Sequence, residues 1–282
     1  MLNLNGTLLE DDQRLSIENR GYKFGDALFE TLKVVHRHIL FWEDHYFRLM
    51  ASMRILRMDI PMTFTMEFLE QEIGKTIEAN NLSHASVRVR LNIDRGDGGK
   101  YLPIDQQINY SIIVEPMESE VYSMSSTSDN TIDLFKDYFM APGLLSTLKT
   151  NNRIINVLGS IYAQENGLDN CLLLNSEKNV VEALNGNLFL VNGTTVKTPP
   201  LEDGCIKGVM RKQLIDLIKS MEGYNIVEAS VSAFELQKAD ELFITNVIQG
   251  IHPVSTYRKK SYDNKVARML VQKLNDLRGF EV

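Results

Sequence analysis

Residues 118–131, ESEVYSMSSTSDNT, carry no hydrophobic period and divide the 282-residue chain into two stretches that each alternate strand-like and helix-like patterns. Such a polar, serine-rich run has the composition of a connector between cores, since it offers neither the period-two stripe of a strand nor the i, i+3, i+4 stripe of a helix. The expected organisation is an N-terminal α+β domain over 1–117, a connector over 118–131 and a C-terminal domain over 132–282. With 44% hydrophobic and 24% charged residues the chain can bury cores of that size. No internal repeat of about 20 to 50 residues points to a solenoid or propeller.

In the first stretch, ALFETLKVV (27–35) is rich in strand formers, and a turn around Arg37 leads into HILFW, which predicts a hairpin. WEDHYFRLMASMRIL (42–56) has helical spacing, with Asp44 as a cap and dipole partner, and TFTMEFLEQEIGKTIEANN gives a second helix. ASVRVRLNID (85–94) and NYSIIVEPM (109–117) alternate as half-buried strands, separated by the Gly-rich loop RGDGGKYLP. Beyond the connector, NRIINVLGSIYAQEN and GVMRKQLIDLIKS read as helices, and CLLLN, NLFLVNGTTVKTP and ELFITN as strands. Ser232 and Glu235 have capping-box spacing, and a final amphipathic helix ends at Gly279. The Asn-Gly-Thr triplets at Asn5 and Asn192 read as hairpin turns rather than glycosylation sites.

A net charge of −7, with Lys and Arg scattered, argues against nucleic acid or an anionic membrane as the main partner. No basic start precedes an apolar core, and no run of about 18 apolar residues occurs, so a soluble cytoplasmic protein is expected. Cys171 and Cys205 have no metal-type spacing, which predicts buried structural thiols and no metal site.

Three stretches could carry chemistry. STLKTNN sets Lys149 among small polar residues; it is an ordinary surface lysine or, in a dry pocket, a nucleophilic amine able to form an imine with a carbonyl cofactor. NVVEALNGNLFLV sets Glu182 between apolar residues, either as a strand-end salt-bridge partner or as the counter-charge to a protonated pyridine nitrogen. DGCIKGVMRKQL is a Gly-containing turn entering a helix, whose backbone N–H groups suit a phosphate, although many such turns bind nothing.

In order along the chain, these stretches join further motifs: FGDALFET (24–31), the H-x-x-R-L of His45, Arg48 and Leu49, LKTNN, E-x-x-x-x-N-x-F from Glu182 to Phe189, G-V-M-R (208–211), and ADELFITN followed by HPV. Together they resemble the fold-type IV enzymes of the class-IV aminotransferase superfamily, which use pyridoxal 5'-phosphate (PLP). The resemblance covers nearly the whole chain. It implies a two-domain α+β fold of the D-amino-acid-aminotransferase kind, with an N-terminal α+β domain and a C-terminal pseudo-barrel domain, working as a homodimer. It also implies that Lys149 carries PLP as a Schiff base and moves protons, that Glu182 binds the pyridine nitrogen, and that Arg48 with the N–H groups of Val209 and Met210 holds the phosphate. Asn187 is implied as a structural residue behind the cofactor. The loop matching RGDGGKYLP commonly reaches the neighbouring subunit's substrate pocket in that family.

Within the superfamily the motifs are most similar to 4-amino-4-deoxychorismate lyases. Thr31 matches a position where the lyases carry a hydroxyl that assists proton transfer, and RGDGGK resembles their arginine loop, although Lys100 and Tyr101 depart from its usual ending. Asn246 stands where transaminases have small or hydroxyl residues. Phe29 replaces the tyrosine of the D-amino-acid branch, and no Gly-Asn-Tyr follows Lys149 as in the branched-chain branch. The resemblance therefore implies catalytic roles for Lys149 and Thr31 and substrate contacts from Phe29, Arg95, Lys100 and Asn246. An amino-acid aminotransferase is the alternative, and a non-catalytic PLP-binding protein a third reading.

Overall fold

The computed structural model describes residues 1–10, 15–124 and 130–277. The chain falls into two compact units, Met1–Glu120 with Lys149–Asn152, and Val121–Leu148 with Arg153–Val282.

The first unit runs β1 (Leu2–Leu4), β2 (Thr7–Leu9), α1 (Arg20–Phe24), β3 (Ala27–Val35), β4 (His38–Ile39), α2 (Trp42–Ile55), α3 (Met66–Ala79), β5 (Ser86–Arg95) and β6 (Ile108–Met117). Its antiparallel sheet has the order β2-β1-β6-β5-β3-β4. Alternation in the sequence becomes alternation in space: Val87, Val89, Leu91 and Ile93 of β5 are fully buried, while Arg88, Arg90, Asn92 and Asp94 between them are half-buried. Helix α2 packs on β3 and α3 on β6. Burying each large aliphatic side chain on that face contributes about 1.5–3 kcal/mol before entropy is counted.

Asp44 does not cap α2. The helix starts after Phe41, at φ 57°, without a side-chain cap, and Asp44 stands in the first turn, where it still complements the helix dipole. Thr65 does cap α3, its hydroxyl accepting from the Phe68 N–H. Lys149–Asn152, expected in the second domain, pair instead with the start of β3. Phe29 N–H donates to the Lys149 carbonyl at 2.9 Å, and Asn151 N–H donates to Ala27 O at 3.0 Å.

The second unit contains β7 (Thr131–Met140), α4 (Ile154–Glu165), β8 (Asn170–Asn175), β9 (Asn179–Ala183), β10 (Asn187–Asn192), β11 (Thr195–Thr198), α5 (Val209–Lys219), β12 (Asn225–Glu228) and β13 (Val231–Ser232). It continues with α6 (Ala233–Lys238), β14 (Glu241–Asn246), β15 (Gly250–Pro253), β16 (Thr256–Tyr257), β17 (Lys260–Ser261) and α7 (Lys265–Asp276). One sheet has the order β13-β9-β8-β7-β16-β17, the other β12-β11-β10-β14-β15. Leu172, Leu174 and Val180 of the first share a core with Leu188, Leu190, Leu242 and Ile244 of the second, so the sheets face each other as a pseudo-barrel domain requires. The chain crosses between them in the turn closed by the Ala183–Gly186 bridge.

Both Asn-Gly hairpin turns and the Ser232–Glu235 capping box are present. Strand β7 is the strand-like segment that precedes STLKTNN. Its register shifts between Phe135 and Phe139, and Lys136 and Asp137 lie at that irregularity, which breaks the period. Part of the serine-rich connector, 125–129, and the expected helix end at Gly279 lie outside the described residues.

Candidate active site

Lys149 is laid against the edge of β3 by the backbone bonds just described, and its Nζ stands 4.4 Å from the centroid of the Phe29 ring. The guanidinium of Arg90 is 4.0 Å from the same ring and donates from Nε to Asn92 Oδ1 at 2.8 Å. Thr31 lies directly opposite Arg90 in the sheet register and two residues from Phe29, so Phe29, Thr31, Arg90 and Asn92 share one face. An aromatic ring serving two cations makes this face suited to an anionic substrate. Burial, reinforced by repulsion from Arg88, lowers the Arg90 pKa from its ordinary value. Arg90 carries no motif signal, and only the period of β5 could have pointed to it.

The opposite face of β3 turns Glu30 into the core, 1% exposed, where α2 meets it with His45 and Arg48. Glu30 Oε1 accepts from Arg48 Nε at 2.8 Å, Oε2 accepts from Arg48 Nη2, and His45 Nδ1 lies 2.7 Å from Oε2. Burial alone would raise the Glu30 pKa; the Arg48 charge and the His45 contact outweigh it and hold the carboxyl at about 2. His45 is pushed down, first by burial, with the charges of Arg48 and Lys149 adding to it. A charged Glu30 beside a neutral His45 puts the ring proton on Nδ1 and leaves Nε2, which has no hydrogen-bond partner, as an acceptor.

In the second unit, Glu182 of β9 is 2% exposed, and its Oε2 accepts from the Ile206 N–H at 2.8 Å. The Ile206 carbonyl accepts from Asn187 Nδ2 at 2.9 Å, so the two stretches singled out in the sequence are tied at one residue. Gly208 then begins α5 with no side-chain cap. It presses against the Asn187 amide so closely that a Cβ would collide with it. The first-turn N–H groups of α5, at Val209 and Met210, are the donors an uncapped helix start offers an anion. Thr245 Oγ1, opposite Asn187 in the register, is buried without a partner. A buried carboxylate, an uncapped helix start, a glycine cradle and an unused hydroxyl fit the nitrogen and phosphate of PLP. Ile206 and Thr245 lie within DGCIKGVMRKQL and ADELFITN, but their parts were not legible there, since Ile206 acts through its backbone N–H and carbonyl and Thr245 through its place opposite Asn187.

Two expected substrate residues are otherwise engaged. All five guanidinium N–H groups of Arg95 are used: Nε on Asp26 Oδ2 at 2.9 Å, Nη1 on Arg57 O at 3.1 Å and on Gln106 Oε1, Nη2 on Asp26 Oδ1 at 3.2 Å and Leu56 O at 2.7 Å. Asn246 Nδ2 donates to Asn185 O, in the turn between β9 and β10, and to Gln249 Oε1, while its Oδ1 accepts from the N–H groups of Ile248 and Gln249 in its own turn. Lys100 is exposed in the Gly-rich loop. Among the described residues no cluster could hold a metal ion, and no helix is long and apolar enough to cross a membrane.

The sequence profile of class IV amino-transferases matches residues 27–257. A protein of Methanocaldococcus jannaschii, provisionally named a branched-chain-amino-acid aminotransferase, is 29% identical over 280 residues, 98% of this chain and 95% of that one. The aminodeoxychorismate lyase of Vibrio harveyi is 27% identical over 84% of this chain and 85% of its own. Among solved structures, the 4-amino-4-deoxychorismate lyase of Pseudomonas aeruginosa superposes with a TM-score of 0.82 at 26% identity, covering 98% of both chains.

Proposed function

Because the chain belongs to the class IV amino-transferase family, we propose that it is a PLP enzyme acting on a small-molecule amine, and specifically a 4-amino-4-deoxychorismate lyase. The observation that carries the cofactor assignment is the Ile206 junction, which ties a buried carboxylate on β9 to the uncapped start of α5. In this reading Lys149 holds the cofactor covalently, Glu182 meets its ring nitrogen, and Arg48 with the Val209 and Met210 N–H groups takes its phosphate, while Asn187 supports the loop behind it. The reading divides the chain into an N-terminal domain over 1–117, a connector, and a PLP-binding domain over 132–282.

Bound PLP supplies an electron-withdrawing ring that stabilises negative charge on the carbon bearing the amine. Glu182, kept buried, holds the proton on the ring nitrogen that this requires. Lys149 Nζ, freed when the substrate amine takes its place, would take the proton from the amine-bearing carbon of the substrate. The six-membered ring becomes aromatic as the C–O bond to the enolpyruvyl group breaks, and that group gains a proton to leave as pyruvate, so atoms balance as 4-aminobenzoate plus pyruvate. Thr31 Oγ1, on the Phe29 face, assists that proton transfer. Arg90 offers its charge to a substrate carboxylate, with the Phe29 ring beneath it.

The placement of Thr31 and the 26–27% identity to two lyases support the lyase. The 29% identity to the archaeal aminotransferase supports the second reading, amino-acid transamination. The experiment is direct: incubate the PLP-loaded protein with 4-amino-4-deoxychorismate, or with amino-acid and keto-acid pairs. Pyruvate with 4-aminobenzoate is expected, and faster formation of new amino acids from leucine, alanine or a D-amino acid would replace the lyase by the aminotransferase.

We take the enzyme to be a cytoplasmic homodimer without a nucleic-acid or membrane partner. Ile154, Val157 and Ile161 lie on one side of α4 at 66%, 51% and 46% exposure, apolar area suited to a second copy.

A further inference from the structure

We propose that Arg20 is a positioning residue which holds the Gly-rich loop after β5 as a preformed arm rather than a free loop. Arg20 is 3% exposed. Its Nη1 donates to Gly98 O at 3.0 Å and to Lys100 O at 2.6 Å, its Nη2 to Tyr101 O at 3.1 Å, and its Nε to Asp26 Oδ2 at 2.9 Å. One guanidinium thus gathers three carbonyls from four consecutive residues.

The sequence makes that convergence available through two adjacent glycines. Gly98 and Gly99 take φ 90° and 76°, where an L side chain is strained, and a Cβ on Gly99 would stand 2.5 Å from the Leu102 carbonyl oxygen. Phe24 backs the guanidinium, its ring centroid 5.0 Å from the Arg20 guanidinium carbon, and the same ring meets that of Tyr101 at 5.7 Å. The loop base is held by the second arginine of the network: Asp26 is shared between Arg20 and Arg95, and Arg95 also bonds Gln106 on the returning strand side.

Sharing Asp26 has an electrostatic consequence. Two buried arginines face one carboxylate, so the three loop carbonyls supply the remaining compensation for Arg20. Opening the loop would leave buried charged donors unbonded, which is costly, and the loop is therefore closed at rest. The arm carries Tyr101, Leu102 and Ile104 on its outside, at 90%, 81% and 75% exposure. That its posture serves substrate binding rests on the functional reading above; that it is clamped does not.

Trypsin reports the clamp without any assay of activity, because the Lys100 side chain is exposed while the carbonyl of its scissile bond is held by Arg20. In the PLP-loaded protein, Arg20→Ala should speed cleavage between Lys100 and Tyr101 by about tenfold or more. The variant should keep a cooperative thermal transition and its PLP content, and raise KM for the substrate with kcat little changed. A folded Arg20→Ala protein cut at the wild-type rate overturns the clamp. If that variant fails to fold, Gly99→Ala leaves the arginine in place and should show the same faster cleavage; wild-type cleavage there overturns the clamp equally. Faster cleavage with unchanged KM refutes the role in substrate binding, whereas faster cleavage in a protein that turns over no tested amine sinks only the functional reading.

Discussion

Glu30 grips Arg48 along one edge of its guanidinium, Oε1 accepting from Nε at 2.8 Å and Oε2 from Nη2, while the same carboxylate meets His45 Nδ1. The arginine assigned to the cofactor phosphate is thereby fixed in plane before any anion arrives, and preorganisation of that kind lowers the cost of binding.

Glu30→Gln should therefore destabilise the fold by about 3–5 kcal/mol, because it uncovers a buried cation. Its PLP affinity should fall while that for pyridoxal, which lacks the phosphate, stays near wild type. The folded Glu30 carboxyl titrates at about 2 against an ordinary value of 4.5, so its contribution is present above the unfolded value and lost as pH falls toward 2. Acid titration of both proteins should show the wild type losing stability faster between those values. Equal acid sensitivity in the two would remove Glu30 from this role.

Glu182→Gln separates charge from architecture. The amide oxygen can still accept from the Ile206 N–H, so fold and PLP content should persist, but a neutral side chain cannot hold a proton on the ring nitrogen. Exchange of the substrate's α-proton should slow by about 100-fold or more. Near-normal exchange measured by NMR would show that the carboxylate serves only the Ile206 loop.

Gly208→Ala should weaken PLP binding, since its Cβ collides with the Asn187 amide and must displace the start of α5. Adding Asn187→Ala removes the obstacle and should recover part of the affinity, a coupling that independent sites would not show. Additive losses in fluorescence titrations of the two single variants and the double would refute the cradle.

Lys33 is 1% exposed, and burial lowers its pKa from 10.5 to about 8 despite the opposing charge of Glu120. Between those values the unfolded chain binds the proton and the folded one does not, so stability rises with pH across that window and is reduced below it. Lys33→Met should be neutral or more stable by about 1–2 kcal/mol at pH 7 and should lack that rise. Denaturant titrations at pH 7 and 10 decide it; a less stable variant with the wild-type pH slope would contradict the assignment.

Much of this was legible in the chain because its period is local. The alternation in β5 announces which residues face the core, and the order of motifs from FGDALFET to HPV leads to the family. What an arginine or an asparagine does with its donors is set by residues distant in sequence. Arg95 is met by Asp26, Leu56, Arg57 and Gln106, none of them its neighbour in the chain, and Asn246 Nδ2 by the carbonyl of Asn185. The Arg20 clamp was hidden for the same reason: its three acceptors are backbone carbonyls, which no side-chain pattern advertises.

The central claim is that Lys149 carries the cofactor, and borohydride tests it most directly. Reduction of the PLP-loaded protein should bleach its visible absorption and leave a single pyridoxyl adduct, which peptide mass spectrometry should locate on Lys149 and which Lys149→Ala should abolish. An adduct on Lys33, Lys100 or any other lysine, or none at all in a protein that binds PLP tightly, would contradict the account.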